Sequence, residues 1–116
     1  MNISVPTGNL NTNVPATIAA SGTVSNVISS SGLGLCGIKF PAGFLGTTVT
    51  FNVCESATGT FVPMKNSTGT AISYTVGASE YTVINPSDFQ GVAFFEIVSG
   101  TAQTSGASLI CSLKGL

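Results

Sequence analysis

Apolar and polar residues alternate along several short stretches of this chain. Between Thr47 and Cys54, valine and phenylalanine alternate with hydroxyl and amide residues. Because successive side chains of a strand point to opposite sides, this pattern is typical of a half-buried antiparallel strand. The stretch from Leu109 to Leu113 alternates in the same way. Both stretches therefore predict strands with one side facing a core.

The stretch from Val92 to Val98 is apolar in both phases of the alternation, apart from Glu96. A strand with two apolar sides is typical of a central position covered on both sides. The opposite sheet is one candidate cover, and a partner subunit is the other. For Glu96 two interpretations stay open: it lies on an exposed seam, or it is paired, with a lysine as a candidate partner.

Alternation between Ile72 and Val76 predicts one strand, and alternation between Tyr81 and Val83 predicts the next. The residues between them, Gly77 to Ser79, are typical of a turn. We therefore predict a β-hairpin with a glycine-containing loop over this region.

The remaining strand signals are weaker or irregular. The stretch from Leu33 to Phe40 changes its apolar phase, which predicts a bulge near Gly37. Thr17 to Ala20 and Thr23 to Ile28 are weak strand candidates, and Phe61 to Met64 contains a proline that favours an edge position. Together the stretches give about eight short strands at roughly ten-residue spacing, which predicts an all-β fold, an antiparallel β-sandwich or jelly roll.

Residues 1–16 differ from the rest because asparagine, threonine and two prolines dominate them. We predict an extended N-terminal arm over 1–16 and a single β-sandwich domain over 17–116. The arm is either a frayed terminus or a segment that lies on a neighbouring subunit. Its apolar residues, which are candidate interface residues, are Ile3, Val5, Leu10 and Val14.

The stretch from Leu33 to Gly46 places three bulky apolar residues around a Pro-Ala-Gly turn, namely Phe40, Phe44 and Leu45. Turns normally face water, so these side chains suggest a loop that is covered. Either the phenylalanines fold back into their own core, or all three residues contact a partner protein.

Charge is scarce: 6% of the 116 residues are charged, and the formal net charge is −1. Three lysines and no arginine leave too little positive charge to neutralise phosphates, so we expect no nucleic-acid partner. A surface with so little charge resists association weakly, which suits a protein that packs against other proteins.

The side chains available for chemistry are few. Without histidine, the Ser-His-Asp, Cys-His and imidazole–metal arrangements are all impossible, and the four carboxylates form no calcium-binding run. Cys36, Cys54 and Cys111 are most simply free thiols that pack as small apolar groups, and a disulfide would require an oxidising medium. We therefore predict no enzymatic activity, no metal and no cofactor.

Apolar runs are too short for the roughly 20 residues that span a bilayer, so we expect no membrane partner. The first residues, MNISVPTGNLNTNV, lack both the basic and the apolar region of a secretion signal. We therefore expect synthesis in a cytoplasm.

Three blocks of the chain resemble the small virion proteins of tailed phages and prophages: GIKFPAGFLGTTVTFNVCES, YTVINPSDFQGVAFFEIVSGT and SLICSLKG. The similarity runs from about Gly32 to Leu113 and follows strands and turns. This chain has Asn85 where an acidic residue is usual in that family.

Within that class, the chain most resembles capsid decoration, or cement, proteins. The resemblance implies a sandwich or jelly roll that assembles as a homotrimer on the capsid surface of the virion. It also implies a role in stabilising contacts between neighbouring copies of the major capsid protein, which would be the partner. Two other functions stay open: a tail, neck or fibre-associated sandwich of the virion, and a carbohydrate-binding sandwich with exposed aromatic residues at one loop end.

Overall fold

The computed structural model describes residues 11–115, which form nine β-strands and one short 3₁₀ helix. The strands are β1 Asn11–Ile18, β2 Ile28–Ser29, β3 Gly34–Lys39, β4 Thr48–Cys54, β5 Val62–Pro63, β6 Ser73–Thr75, β7 Tyr81–Val83, β8 Phe94–Ser99 and β9 Ala107–Lys114. The 3₁₀ helix is Pro86–Phe89. No helix within this described range is long and apolar enough to cross a membrane.

Four strands form one sheet, which we call sheet A, in the order β1-β9-β3-β7, and every pair in it is antiparallel. Strand β9 pairs with β1 on one side and with β3 on the other, and every second side chain along it is apolar and faces the core. The buried side chains of β9 are Ala107, Leu109, Cys111 and Leu113. The strand predicted at the C-terminal end of the chain is thus confirmed.

The other strands form sheet B, in the order β2-β8-β4-β5, with β6 also paired to β4. Strand β4 covers the alternating stretch predicted as a half-buried strand, and β5, with its proline, lies at an edge as predicted. Strand β8 lies between β2 and β4, so its predicted central position is confirmed. In the part of the chain that the structure describes, one side of β8 is buried, because Phe95, Ile97 and Ser99 point inward, and the residues between them stay half-buried.

The inner sides of the two sheets share a single apolar core, which confirms the predicted all-β sandwich. Its centre is an aromatic cluster in which the Phe51 ring lies 5.0 Å from Phe89, and Phe89 lies 5.6 Å from Phe95. The edge-to-face angles of these pairs are the arrangement that ring quadrupoles favour. Asn85 caps the 3₁₀ helix by accepting a hydrogen bond from the Ser87 N–H, and this turn carries Phe89 into the core.

The predicted hairpin between the sixth and seventh strands is wrong. Strand β6 pairs with β4 in sheet B, whereas β7 pairs with β3 in sheet A. The turn at Gly77 is real, since the Glu80 N–H donates to the Gly77 carbonyl, but it carries the chain from one sheet to the other. Alternation specifies which side of a strand is apolar and leaves its partner open.

Strand β3 contains the irregularity predicted near Gly37. Its pairing with β9 shifts register between Leu35 and Gly37, so Cys36 is the extra residue of a bulge. The aromatic ring of Tyr81 lies across Gly37, where a Cβ atom would overlap it. The bulge prediction is confirmed, and the glycine leaves room for a neighbouring aromatic ring.

The predicted boundary between arm and domain falls inside a strand. Residues 11–16, which we assigned to the arm, belong to β1, and β1 pairs with β9 along its whole length. The backbone groups of the central strand β9 need hydrogen-bond partners on both sides. Strand β1, whose apolar residues are scattered, supplies the partners on one side. The predicted strand from Thr23 to Ile28 shrinks to the short β2 and two isolated bridges, one between Val24 and Val98 and one between Ser25 and Ile18.

Candidate interaction surfaces

The apolar turn after β3 folds into the core. Phe40 is 1% exposed and Phe44 is 4% exposed, and their rings contact edge-to-face at 4.8 Å. Of our two interpretations of these phenylalanines, the partner contact is therefore wrong and the core position is correct. The Phe44 N–H donates to the Pro41 carbonyl, and this turn directs the ring inward.

Leu45 is the residue of this turn that stays on the surface, with 37% of its area exposed. Its position is fixed by Gln103, whose side-chain carbonyl accepts from the Leu45 N–H at 3.0 Å and whose amide donates to the Leu45 carbonyl at 2.9 Å. An exposed apolar side chain on a backbone held in this way is preorganised for contact.

Gln103 connects three loops at one end of the sandwich, a role that no pattern in the sequence indicates. Its side chain is fully buried and also donates to Ser99 and to the Thr101 carbonyl. Its backbone is bonded to Ser21 and Gly22. In the sequence, one glutamine in a Ser/Gly-rich loop looks like an ordinary surface residue. Its role becomes visible from the groups to which it is hydrogen-bonded in the folded chain.

Three of the predicted arm residues, Ile3, Val5 and Leu10, lie outside the described residues. The fourth, Val14, is a half-buried residue of β1 that packs against the core. Val14 therefore packs against the core of its own chain. Of our seven candidate interface residues, Leu45 is the one that is exposed within residues 11–115.

The outward side of sheet A presents apolar residues that our candidates did not include. Neighbouring strands place Pro15 beside Ile110, Ile110 beside Lys39, and Lys39 beside Tyr81. Tyr81 is 52% exposed and Val83 is 73% exposed. We call these five residues the sheet-A outer face. Within residues 11–115, Tyr81 is the one aromatic side chain that is exposed rather than buried or half-buried.

The outward side of sheet B is the uncovered side of β8. Phe94, Glu96 and Val98 are half-buried there, and Val24, which bridges to Val98, is 42% exposed. We call these four residues the sheet-B outer face. Glu96 lies beside Asn52, whose amide donates to the carboxylate at 3.5 Å. Glu96 is therefore half-buried on the outward side of the sheet and paired with an amide, so each of our two interpretations holds in part.

Comparison with known proteins adds no relative to this picture. No family model, no curated protein and no solved structure matches the chain. Its surfaces must therefore be interpreted from their own chemistry.

The titratable groups of the described residues are dispersed. Within residues 11–115, no three cysteine or carboxylate side chains lie together as metal ligands would. The three cysteines are free thiols, of which Cys54 and Cys111 are buried. Burial raises the pKa of Cys111 from 9.0 to about 12, so its nucleophilic thiolate form is scarce at neutral pH.

Proposed function

We propose that this chain is a non-enzymatic structural protein of a tailed-phage virion that binds the outside of the capsid. It decorates the shell as a homo-oligomer and stabilises contacts between copies of the major capsid protein. The similarity from about Gly32 to Leu113 supports the class of protein, and the all-β sandwich is the fold that this similarity implies.

One observation carries the proposal: β8 is apolar on both sides, and within residues 11–115 one side is buried while the other is half-buried. Phe94 and Val98 on the outer side gain from being covered, at about 25 cal/mol per Å² of apolar surface. Glu96 lies between them, so a covering protein must supply a hydrogen-bond donor or a positive charge to this carboxylate. We therefore assign the sheet-B outer face to the shell.

Cement activity follows from binding the assembled shell more tightly than its separate subunits. Such a ligand raises the stability of the shell through mass action. Many copies on a symmetric shell repeat one weak contact, and the shell is stabilised at every site that a copy occupies.

The direct test mixes the purified protein with tail-less capsids that lack it. We expect the protein to sediment with the capsids and to raise their melting temperature in a calorimeter. Tail-less capsids are the informative particles, because a tail, neck or fibre protein would not bind them. Failure to sediment with capsids, or an unchanged melting temperature, would reject a cement function.

A matched pair of variants tests which face binds. Val24 and Ile110 are similarly exposed on opposite sheets, at 42% and 37%. Val24→Asp would bury an unpaired charge in the contact, so we expect about tenfold weaker capsid binding or more. Ile110→Asp changes the sheet-A outer face and should bind like the unmodified protein. Circular dichroism checks that both variants fold, and equal binding by both would contradict the assignment to sheet B.

A further inference from the structure

The two edges of sheet A differ in how their backbone groups are protected. At the β1 edge, Asn26 bonds to Thr17 twice, since its side chain accepts from the Thr17 N–H at 2.7 Å and its N–H donates to the Thr17 carbonyl. These bonds show that the N–H and carbonyl groups of Thr17 point away from β9. Because alternate residues of a strand point their backbone groups to the same side, the backbone of Pro15 also faces away from β9. Pro15 has no N–H to offer a further strand, so the β1 edge is interrupted at Pro15 and Thr17.

Among residues 11–115, nothing gives the edge formed by β7 such protection. The Phe40 N–H donates to the Glu80 carbonyl at 2.8 Å, and the Ile84 N–H donates to the Cys36 carbonyl at 3.0 Å. Even-numbered residues of this segment therefore bond to β3, and the backbone groups of Tyr81 and Val83 point away from the sheet. Strand β7 contains no proline, no charged residue and no bulge, and Val83 is 73% exposed.

An open edge with apolar side chains is a template for pairing with another strand, and proteins that do not use such an edge usually block it. In sheet A, Pro15 and Asn26 interrupt the β1 edge, whereas the described residues leave the β7 edge open. We propose that β7 pairs antiparallel with β7 of a second copy of this chain, around a two-fold axis that passes through Thr82. This contact is independent of the proposed binding to a capsid.

The register of this pairing follows from the backbone. Tyr81 of each copy faces Val83 of the other in a hydrogen-bonded pair, and the two Thr82 residues face each other in a non-hydrogen-bonded pair. Each edge then satisfies the N–H and carbonyl groups of Tyr81 and Val83 with the same groups of the other copy. A threonine pair at the axis and an aromatic–valine pair on either side are favourable cross-strand neighbours.

A second copy is the occupant that fits this edge. The sequence of β7 is uncharged, and the net charge of −1 per chain leaves little repulsion between two copies. Pairing of β7 with β1 of another copy would place Pro15 and Asn26 in the contact. The isologous β7 pair avoids both, and it closes on itself rather than growing into a fibre.

The test of this contact is sedimentation of the full chain over a concentration series that reaches about 1 mM, the dissociation range of weak contacts. We expect the number of associated copies to double with concentration, and we expect Val83→Pro to abolish this doubling. Proline is tolerated there, because the Val83 N–H points away from β3, and circular dichroism should show an unchanged fold. Val83→Lys should weaken association, and Val62→Lys, the same change at an exposed valine of β5, should not.

A cysteine at the axis tests the register. The two Thr82 Cα atoms would lie about 4.5 Å apart, within the range that a disulfide spans. Under mild oxidation we therefore expect Thr82→Cys to give a covalent dimer, and the unmodified chain or Thr75→Cys, on β6, to give none. A protein whose number of associated copies does not double with concentration, or a doubling that persists in Val83→Pro, would overturn the proposal. So would a Thr82→Cys variant that forms no dimer, because another segment or partner would then occupy the edge.

Discussion

Gln103 shows how a single polar side chain can hold several loops in place. Its amide is fully buried and bonded to the backbone of Leu45 and Thr101 and to the Ser99 hydroxyl. Buried polar groups stabilise a fold when all are paired and cost free energy when one partner is removed.

We predict that Gln103→Ala lowers the free energy of unfolding by about 2 to 3 kcal/mol, because the Leu45 N–H and carbonyl lose their partner. Gln90, which is exposed, provides the control, and Gln90→Ala should change stability by less than about 0.5 kcal/mol. Urea denaturation measures both variants. Equal midpoints would show that Gln103 does not hold the loops.

Cys111 gives the protein a pH dependence in the alkaline range. Burial raises its pKa from 9.0 to about 12, so the unfolded chain loses this proton at a lower pH than the folded chain. The stabilisation of the neutral thiol is complete below pH 9 and is lost as the pH rises toward 12.

We predict that the free energy of unfolding falls between pH 9 and 12 by up to about 1.4 kcal/mol per pH unit from this group. Cys111→Ala removes the ionisable group and should have a flatter profile, whatever its stability at neutral pH. Urea denaturation of both proteins over this pH range isolates the contribution of the thiol. Parallel profiles would contradict the assignment.

At the scale of the elements, β8 places chemically identical residues in opposite environments. Phe95 is fully buried against Phe51 and Phe89, and Phe94 lies half-buried on the sheet-B outer face. The sequence predicted that both sides of this strand are apolar. Which side faced the core depended on pairing with β4 and on the opposing sheet.

We predict that Phe95→Ala lowers the free energy of unfolding by about 3 to 5 kcal/mol, because it leaves a cavity in the aromatic cluster. Phe94→Ala removes the same atoms from a partly solvated position and should cost about 1 kcal/mol. Thermal and urea denaturation compare the two. A similar loss in both variants would mean that the outer side of β8 is covered within the isolated chain.

The long alternating elements β4 and β9 and the central strand β8 were predictable because their own residues carry the signal. The connection from β6 to β7 was not predictable in this way. Ile72 and Val76 are buried, but half-buried Thr82 of β7 and the following Ile84 face inward and leave Tyr81 and Val83 outside. A three-residue strand has too few side chains for alternation to specify its phase.

Across the whole molecule, the fold is held by pairing between residues far apart in the sequence. Strand β1 pairs with β9, so Asn11 lies beside Lys114, and the sheet is complete only when both regions meet. Such pairing requires closing a long loop before any contact compensates for the lost chain entropy.

We predict slow folding for a chain of this size, with relaxation in milliseconds to seconds rather than microseconds. Stopped-flow dilution from urea, followed by circular dichroism, measures the rate. Folding in microseconds would indicate that local contacts dominate the transition state and would contradict the role of the β1–β9 pairing.

By itself, the sequence determined the all-β class, the strands with strong alternation, the bulge near Gly37 and the scarcity of charge. These properties depend on residues that are neighbours in the sequence, because the period of the side chains and the composition are local. The tertiary structure alone decided that Phe40 and Phe44 are core residues, that Gln103 ties three loops together, and that β7 forms an open sheet edge. Each of these depends on which distant segment satisfies a backbone group or covers an apolar side chain, and alternation along one strand does not specify that partner.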